Sequence, residues 1–208
     1  MEGKTGGKKK NERKVVSKFT TENGHKHFSF IVPPNVNSLT ITALGGGGGG
    51  GGGGNGGGGG GGHGIRIKKR IDVIPDSILK IHVGEGGIGG EAGKSGSSGD
   101  PTVIELNDRI VDAPGGGGGG GGDGKDGASV LLDGKILEGG KGGSNGGGGG
   151  GAGYYGGGGG AGIAGIGDVE SGKGGQGLMG NGYDGGGVSR RNRGKIIGDG
   201  QNATDLGA

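Results

Sequence analysis

The sequence predicts a mainly β fold with little or no α-helix, in which short antiparallel hairpins form a β-sandwich-like sheet packed beside a bundle of polyglycine-II helices. Two observations lead to this prediction. Glycine makes up 73 of the 208 residues and is concentrated in blocks, and short runs of alternating apolar residues lie between the blocks. Collagen is excluded, because its triple helix needs glycine at every third position and abundant proline, whereas this chain has five prolines.

The glycine blocks are the feature around which the chain is organised. The three main glycine runs are 45–62, interrupted by Asn55, 115–122, and 146–160, interrupted by Ala152, Tyr154 and Tyr155. A glycine segment alone in water is a flexible coil. Ordering a glycine costs more backbone entropy than ordering any other residue. In a left-handed helix of three residues per turn, however, each glycine keeps its N–H, and the missing Cβ allows neighbouring helices to hydrogen-bond through their backbones. Flexible linkers between strands are the alternative interpretation.

The segments between the glycine blocks alternate as strands do. Asn23-Gly24 and Asp133-Gly134 are strong signals for tight hairpin turns, and Asn107-Asp108 marks another hairpin. Residues 64–74 interleave isoleucine and valine with arginine and lysine, which predicts a strand with one solvated, basic face. The predicted strands are 15–21, 27–31, 38–44, 64–74, 78–83, 102–106, 109–111, 129–132 and 135–137.

Charge divides the chain into three parts. We expect a disordered basic arm at 1–14, a glycine-rich β/polyglycine-II domain at 15–187, and a basic, flexible tail at 188–208. Short basic blocks of this kind contact nucleic acid or acidic surfaces, although a merely solvated tail has the same composition. The candidate contacts are Lys8, Lys9, Lys10, Arg190, Arg191 and Arg193.

Motifs for catalysis, cofactors or metals are weak in this sequence. Residues 84–95 approach the phosphate-binding loop pattern, but the position that requires glycine is Ile88. His25 and His27 form an H-x-H pair with no third ligand nearby, and the chain has no cysteine. We therefore expect no catalytic residue, no cofactor and no metal, and a protein that is not an enzyme. No apolar run approaches the length of a transmembrane helix.

The stretches 19–24 and 27–44, which run into the first glycine block, resemble the start of the glycine-rich domain family. Ile81-His82-Val83-Gly84-Glu85-Gly86-Gly87 and the hairpins before Gly115 and Gly139 are similar to the family's recurring strand-and-glycine units. The resemblance covers about residues 15–165; the basic arm, the arginine cluster and the C-terminal part depart from it. The family includes phage tail and adhesin proteins, other viral and bacterial surface proteins, and the glycine-rich region of anaplastic lymphoma kinase receptors. The resemblance implies strands beside packed polyglycine-II helices and no enzyme motif.

The resemblance and the composition together favour a non-enzymatic structural or attachment protein of a virus particle, phage tail or cell surface. A rigid scaffold would present loops to an unidentified protein or glycan partner, or to other virion or surface proteins, and the candidate contacts are Tyr154, Tyr155 and Tyr183. The alternative is a nucleic-acid-associated protein that binds through its basic segments. An ice-binding protein is a third hypothesis, although the blocky runs show no flat regular face. We expect a virion or extracellular location without a conventional signal peptide, and a cytoplasmic one during assembly.

Overall fold

The computed structural model describes residues 16–21, 25–54, 56–107, 109–143, 147–157, 159 and 172–183. Within those ranges the regular secondary structure consists of strands, without any helix. The strands are β1 (His27–Ile31), β2 (Ser38–Leu44), β3 (Arg66–Asp72), β4 (Ile78–His82), β5 (Thr102–Leu106), β6 (Arg109–Ala113), β7 (Val130–Leu132), β8 (Lys135–Leu137), β9 (Gly153–Tyr155) and β10 (Gly177–Gly180). The predicted arms at 1–14 and 188–208 lie outside the described residues.

Two antiparallel sheets pack face to face at one end of the molecule. The larger has the strand order β1-β4-β5-β6, and the smaller pairs β2 with β3. Exposed and buried side chains alternate along these strands, so each sheet has one apolar face. Ile41 and Ile71 of the small sheet form one hydrophobic cluster with Leu79, Ile81 and Ile104 of the large sheet. The predicted mainly β, sandwich-like fold is confirmed.

The first predicted hairpin is not formed. Residues 16–21 contain no strand, and β1 pairs with β4, so that Phe28 lies opposite Ile81 and Phe30 opposite Leu79. The non-local pairing brings these aromatic rings to the same apolar cluster as β4. Phe19 packs on the pair instead of extending a strand, with ring centroids 5.4 Å from Phe28 and 6.2 Å from Phe30. The expected turn at 22–24 lies outside the described residues.

The other predicted hairpins are confirmed. β5 pairs with β6 and β7 with β8, both antiparallel. Asp133 and Gly134 have φ angles of 47° and 76°, and two successive positive φ angles are what a type I′ hairpin turn requires. Asn107 takes the same left-handed region, at φ 51°. The parallel pair of β9 and β10 was not predicted, because Gly-Leu-Met-Gly offers no alternation.

The first glycine run folds back on itself and continues the pairing of β2 with β3. Its hydrogen bonds keep the register of that ladder, but they recur every three residues instead of every two. They join the N–H of Gly45 to the carbonyl of Ile65 (3.1 Å), Gly48 to Gly62 (2.9 Å), Gly51 to Gly59 (2.8 Å) and Gly54 to Gly56 (2.9 Å). The backbone therefore changes from a two-residue repeat to a three-residue repeat where the strands end.

Three further segments fold back in the same way, and we call the four together the glycine hairpins. They are residues 45–65, 84–100, 115–128 and 139–153. In 84–100, for example, the N–H groups of Asp100, Ser97 and Lys94 donate to Glu85, Ile88 and Glu91. The turns of the first three glycine hairpins lie together at one end of the molecule, where the Asp123 carboxylate lies against the backbone of Gly54 and Gly93. The β-sandwich lies at the other end.

The glycine hairpins are joined sideways by backbone hydrogen bonds, most fully around residues 147–153. Seven consecutive N–H groups, from Gly148 to Tyr154, donate in rotation to three neighbouring segments. The acceptors in chain order are the carbonyls of Gly57, Lys125, Lys173, Gly60, Ala128, Gln176 and His63. Each neighbour is met again after three residues, which is the repeat of a helix with three residues per turn. We call this hydrogen-bonded network the glycine lattice.

The glycine lattice leaves no room for side chains at most of its positions. A Cβ built on Gly119 would lie less than 3.0 Å from the carbonyl oxygen of Gly59, and one on Gly151 less than 3.0 Å from that of Gly117. Ala152 is accommodated because its methyl group joins a second hydrophobic cluster with Ile65, Val130 and Leu137. The absence of Cβ atoms is thus a packing requirement of the lattice.

Candidate partner-binding surface

Tyr154 and Tyr155 lie in β9, at the end of the lattice nearest the β-sandwich. The N–H of Tyr154 donates to the carbonyl of His63 (3.0 Å), and the N–H of His63 donates to the carbonyl of Tyr155 (3.0 Å). Tyr154 is half-buried and packs on the second hydrophobic cluster. Tyr155 is 47% exposed, and its ring meets those of Tyr154 and His63 edge to face at centroid distances of 5.2 and 5.6 Å. Tyr155 is therefore the better placed of the two to contact a partner.

The third predicted contact, Tyr183, belongs to the segment that follows β10. β10 pairs with β9, with Gly180 opposite Tyr155, and the N–H of Gly159 donates to the carbonyl of Tyr183 (2.8 Å). The side chain of Tyr183 is 90% exposed and that of Met179 is 61% exposed. β9, β10 and the segment after β10 thus carry four exposed apolar or aromatic side chains, which we together call the aromatic patch: Tyr155, Leu178, Met179 and Tyr183.

Sequence reasoning found the tyrosines of the aromatic patch but missed Leu178 and Met179. An exposed tyrosine inside glycine stands out in the sequence, because a phenol ring has no space within the lattice. Leu178 and Met179 look like ordinary apolar residues of a short strand, and only their exposure identifies them. Exposed apolar side chains gathered in neighbouring segments are candidates for a binding site.

The predicted basic contacts Lys8, Lys9, Lys10, Arg190, Arg191 and Arg193 all lie outside the described residues. The structure shows a different basic surface on β3, where Arg66, Lys68 and Arg70 are exposed. The sequence predicts a basic, solvated face for this strand, and the exposure of these residues confirms it.

The histidines are arranged differently from the H-x-H pair of the sequence. His27 lies beside His82 of the neighbouring strand, with the two Nδ1 atoms 3.4 Å apart and the ring centroids 4.6 Å apart. His25 is an exposed residue just before β1. Among the described residues no three His, Asp or Glu side chains are grouped so that they could hold a metal ion.

The segment that approaches a phosphate-binding loop uses its amides within the glycine lattice. The N–H groups of Gly87, Gly90 and Gly93 donate to carbonyls of the first glycine run at 2.7 to 2.8 Å. Lys94 forms an ion pair with Glu91, and this hydrogen bond raises the pKa of the lysine. A phosphate-binding loop directs its amides and its lysine at the ligand, so these contacts describe a structural segment.

One of three comparisons with known proteins finds a match. The family model described as "Glycine-rich domain" matches residues 20–207, a longer part of the chain than the 15–165 of the resemblance. Searches of curated proteins and of solved structures found no match. The part of the chain that the structure describes has no helix of the length and apolarity needed to cross a membrane. The match covers most of the sequence, and the chain belongs to the glycine-rich domain family.

Proposed function

We propose that this protein is a non-enzymatic structural or attachment protein of a virus particle, phage tail or cell surface. In this proposal the lattice segments are polyglycine-II helices, and they form a rigid scaffold that presents the hairpin turns and the aromatic patch to a protein or glycan partner. One observation carries the proposal. The backbone N–H groups from Gly148 to Tyr154 donate to three neighbouring segments in turn, and each segment is met again after three residues.

The energetics explain why such a scaffold needs many segments. Ordering one residue costs about 1–2 kcal/mol in backbone entropy, while one hydrogen bond contributes about 0.5–1.5 kcal/mol. A single glycine helix is therefore not stable alone. In the lattice each segment has several neighbours, Cα–H···O contacts add to the hydrogen bonds, and strands anchor the hairpin ends. Because these contacts stabilise one another, the lattice is expected to be a stiff scaffold.

A stiff platform favours binding through a small patch. Tyrosine is over-represented among the residues that dominate binding energy at protein interfaces. Side chains held on a rigid backbone lose less conformational entropy when a partner binds than side chains on a mobile loop. Tyr155 and Tyr183 supply the tyrosine side chains. The hydrogen bonds that join their segments to the lattice supply the rigid backbone.

The aromatic patch is tested with the double variant Tyr183→Ala/Met179→Ala. Because both side chains are mostly exposed, the free energy of unfolding should change by less than about 0.5 kcal/mol. Binding of the fluorescently labelled protein to a panel of bacterial and eukaryotic cells, measured by flow cytometry, should weaken by about 2 kcal/mol, or roughly thirtyfold. Leu131→Ala, an exposed apolar change on β7, is the matched control and should bind as the parent does. If the parent binds no cell in the panel, or if the double variant binds equally well, the attachment role of the patch is wrong.

A further inference from the structure

We propose that the outward face of the β2–β3 sheet binds an acidic polysaccharide that carries sulfate groups. The residues that would contact it are Arg66, Lys68 and Arg70, together with the hydroxyl groups of Thr40 and Thr42, and we call this set the basic face. It shares no residue with the aromatic patch. The inference therefore goes beyond the proposed function and does not depend on it.

The alternation of β3 places its cations in a row. Arg66, Lys68 and Arg70 are exposed, whereas Ile67, between the first two, and Ile71, after the third, pack on the hydrophobic core. Alternate residues of a strand point to the same face and lie about 6.6–6.8 Å apart. The strand thus holds three positive charges at even spacing along a line, which suits an extended chain with repeating negative charges.

The pairing with β2 adds hydroxyl groups beside the cations. Thr42 lies opposite Lys68, and Thr40 opposite Arg70. The backbone bonds from Gly45 to Ile65 and from Val73 to Asn37 fix the hydrogen-bonded positions of this ladder.

Lys68 and Arg70 consequently occupy non-hydrogen-bonded pairs, where opposite Cα atoms are closest, at about 4.5 Å. Each of these cations therefore has a hydroxyl group as its nearest neighbour across the strands. One N–H of Arg70 donates to the Ser38 hydroxyl (3.0 Å), which orients the guanidinium on the face.

The charges of the basic face are not neutralised by the described part of the protein. Among the described residues the ion pairs are Lys26–Glu85, Lys94–Glu91 and Lys141–Asp126, and none of them includes a residue of β3. The one acidic residue of the strand, Asp72, is the next alternate position after Arg70 and shares its face, so three cations and one carboxylate leave the face with a net positive charge. A local excess of positive charge attracts polyanions and speeds their association.

The side chains around the cations favour a polysaccharide over single-stranded nucleic acid. Proteins that bind single strands stack the bases on aromatic rings, and residues 38–44 and 66–72 contain no aromatic residue. Arginine matches oxyanions with two parallel hydrogen bonds, and serine and threonine hydroxyls can bond to sugar hydroxyls. Clusters of lysine and arginine are known to form heparin-binding patches.

The test uses the full chain and a heparin-derived oligosaccharide, with the same oligosaccharide after desulfation as the comparison ligand. The variant Lys68→Gln/Arg70→Gln should bind the sulfated ligand about tenfold more weakly than the parent, because two exposed ion pairs with the ligand are lost. The control Lys125→Gln/Lys135→Gln removes the same charge from exposed positions elsewhere and should leave the affinity unchanged. Calorimetric titration at several salt concentrations measures the affinities of the parent and of both variants. The parent should bind the desulfated ligand much more weakly than the sulfated one.

Two further arms make the result decisive. The charge-preserving variant Lys68→Arg/Arg70→Lys should keep most of the affinity, which separates loss of charge from loss of folding. Equal weakening by the test and control variants would overturn the proposal, because binding would then follow net charge alone. Tighter binding of a DNA oligonucleotide than of the sulfated ligand, lost in the Lys68→Gln/Arg70→Gln variant, would also overturn it and assign the face to nucleic acid.

Discussion

Replacing Gly151 with alanine is expected to lower the free energy of unfolding by about 3 kcal/mol or more, at the upper end of the range for overpacked cores. The added methyl group would lie less than 3.0 Å from the carbonyl oxygen of Gly117. Gly117 cannot easily move away, because its own N–H donates to the carbonyl of Ala152 (2.7 Å), the next residue of the same segment. The N–H of Gly151 is also bonded, to the carbonyl of Gly60 (2.9 Å). The clash is therefore between backbones, which have no rotamers with which to relieve it.

The matched control for this change is Gly180→Ala in β10. A Cβ there has its nearest neighbour in the ring of Tyr155 at 3.6 Å, an ordinary van der Waals distance. Urea denaturation of both variants gives the comparison, and the control should lose less than about 1 kcal/mol. Similar small losses in both variants would mean that residues 147–153 are not packed as closely as the hydrogen bonds indicate.

Truncation of Ile65 to alanine is expected to cost about 2–5 kcal/mol, as for other large-to-small changes in cores. Ile65 is 0% exposed and packs with Val130 and Leu137. It lies at the junction of lattice and sheet: its N–H donates to the carbonyl of Pro114 (2.8 Å), and its carbonyl accepts from Gly45. A cavity at this position would loosen both the anchor of the first glycine hairpin and the packing of β7 and β8.

Ile136→Ala in β8 is the control for Ile65, since it removes the same atoms from a side chain that is 60% exposed. Its effect on the midpoint of thermal unfolding should be close to zero, because exposed substitutions usually change stability by less than about 0.5 kcal/mol. If the two variants unfold at the same temperature, the second hydrophobic cluster does not hold the lattice to the strands.

The strands were predictable where the signal is local. The segment 38–44 alternates and has the bounds of β2, and Asp133-Gly134 specifies a turn that needs two positive φ angles. The partner of β1 was not predictable in this way. Asn23-Gly24 favours a local hairpin, but β4 offers Leu79 and Ile81 to the side chains of β1, and burial of those residues outweighs the turn signal.

The pairing of the glycine runs could not be predicted from the sequence. Repeated glycines carry no pattern of polar and apolar residues, so the sequence indicates that several runs are needed but not which run bonds to which. The fold-back of the first run, which brings Gly54 to Gly56, and the rotation of acceptors along residues 148–154 follow from the three-dimensional arrangement. In the aromatic patch the tyrosines were recognisable as residues too large for the lattice. The inward packing of Tyr154 and the exposure of Met179 were not, because both depend on residues that are distant in the sequence.

Native-state amide hydrogen exchange on the full chain tests the glycine lattice most directly. Buried, hydrogen-bonded amides exchange only through opening of the structure, whereas the amides of a glycine coil exchange almost at once. We expect strong protection of all the amides from Gly148 to Tyr154, comparable to that of the core strands β4 and β5. Protection confined to the strands, with rapid exchange throughout 148–152, would contradict the lattice and leave a small β-sandwich joined by flexible glycine linkers.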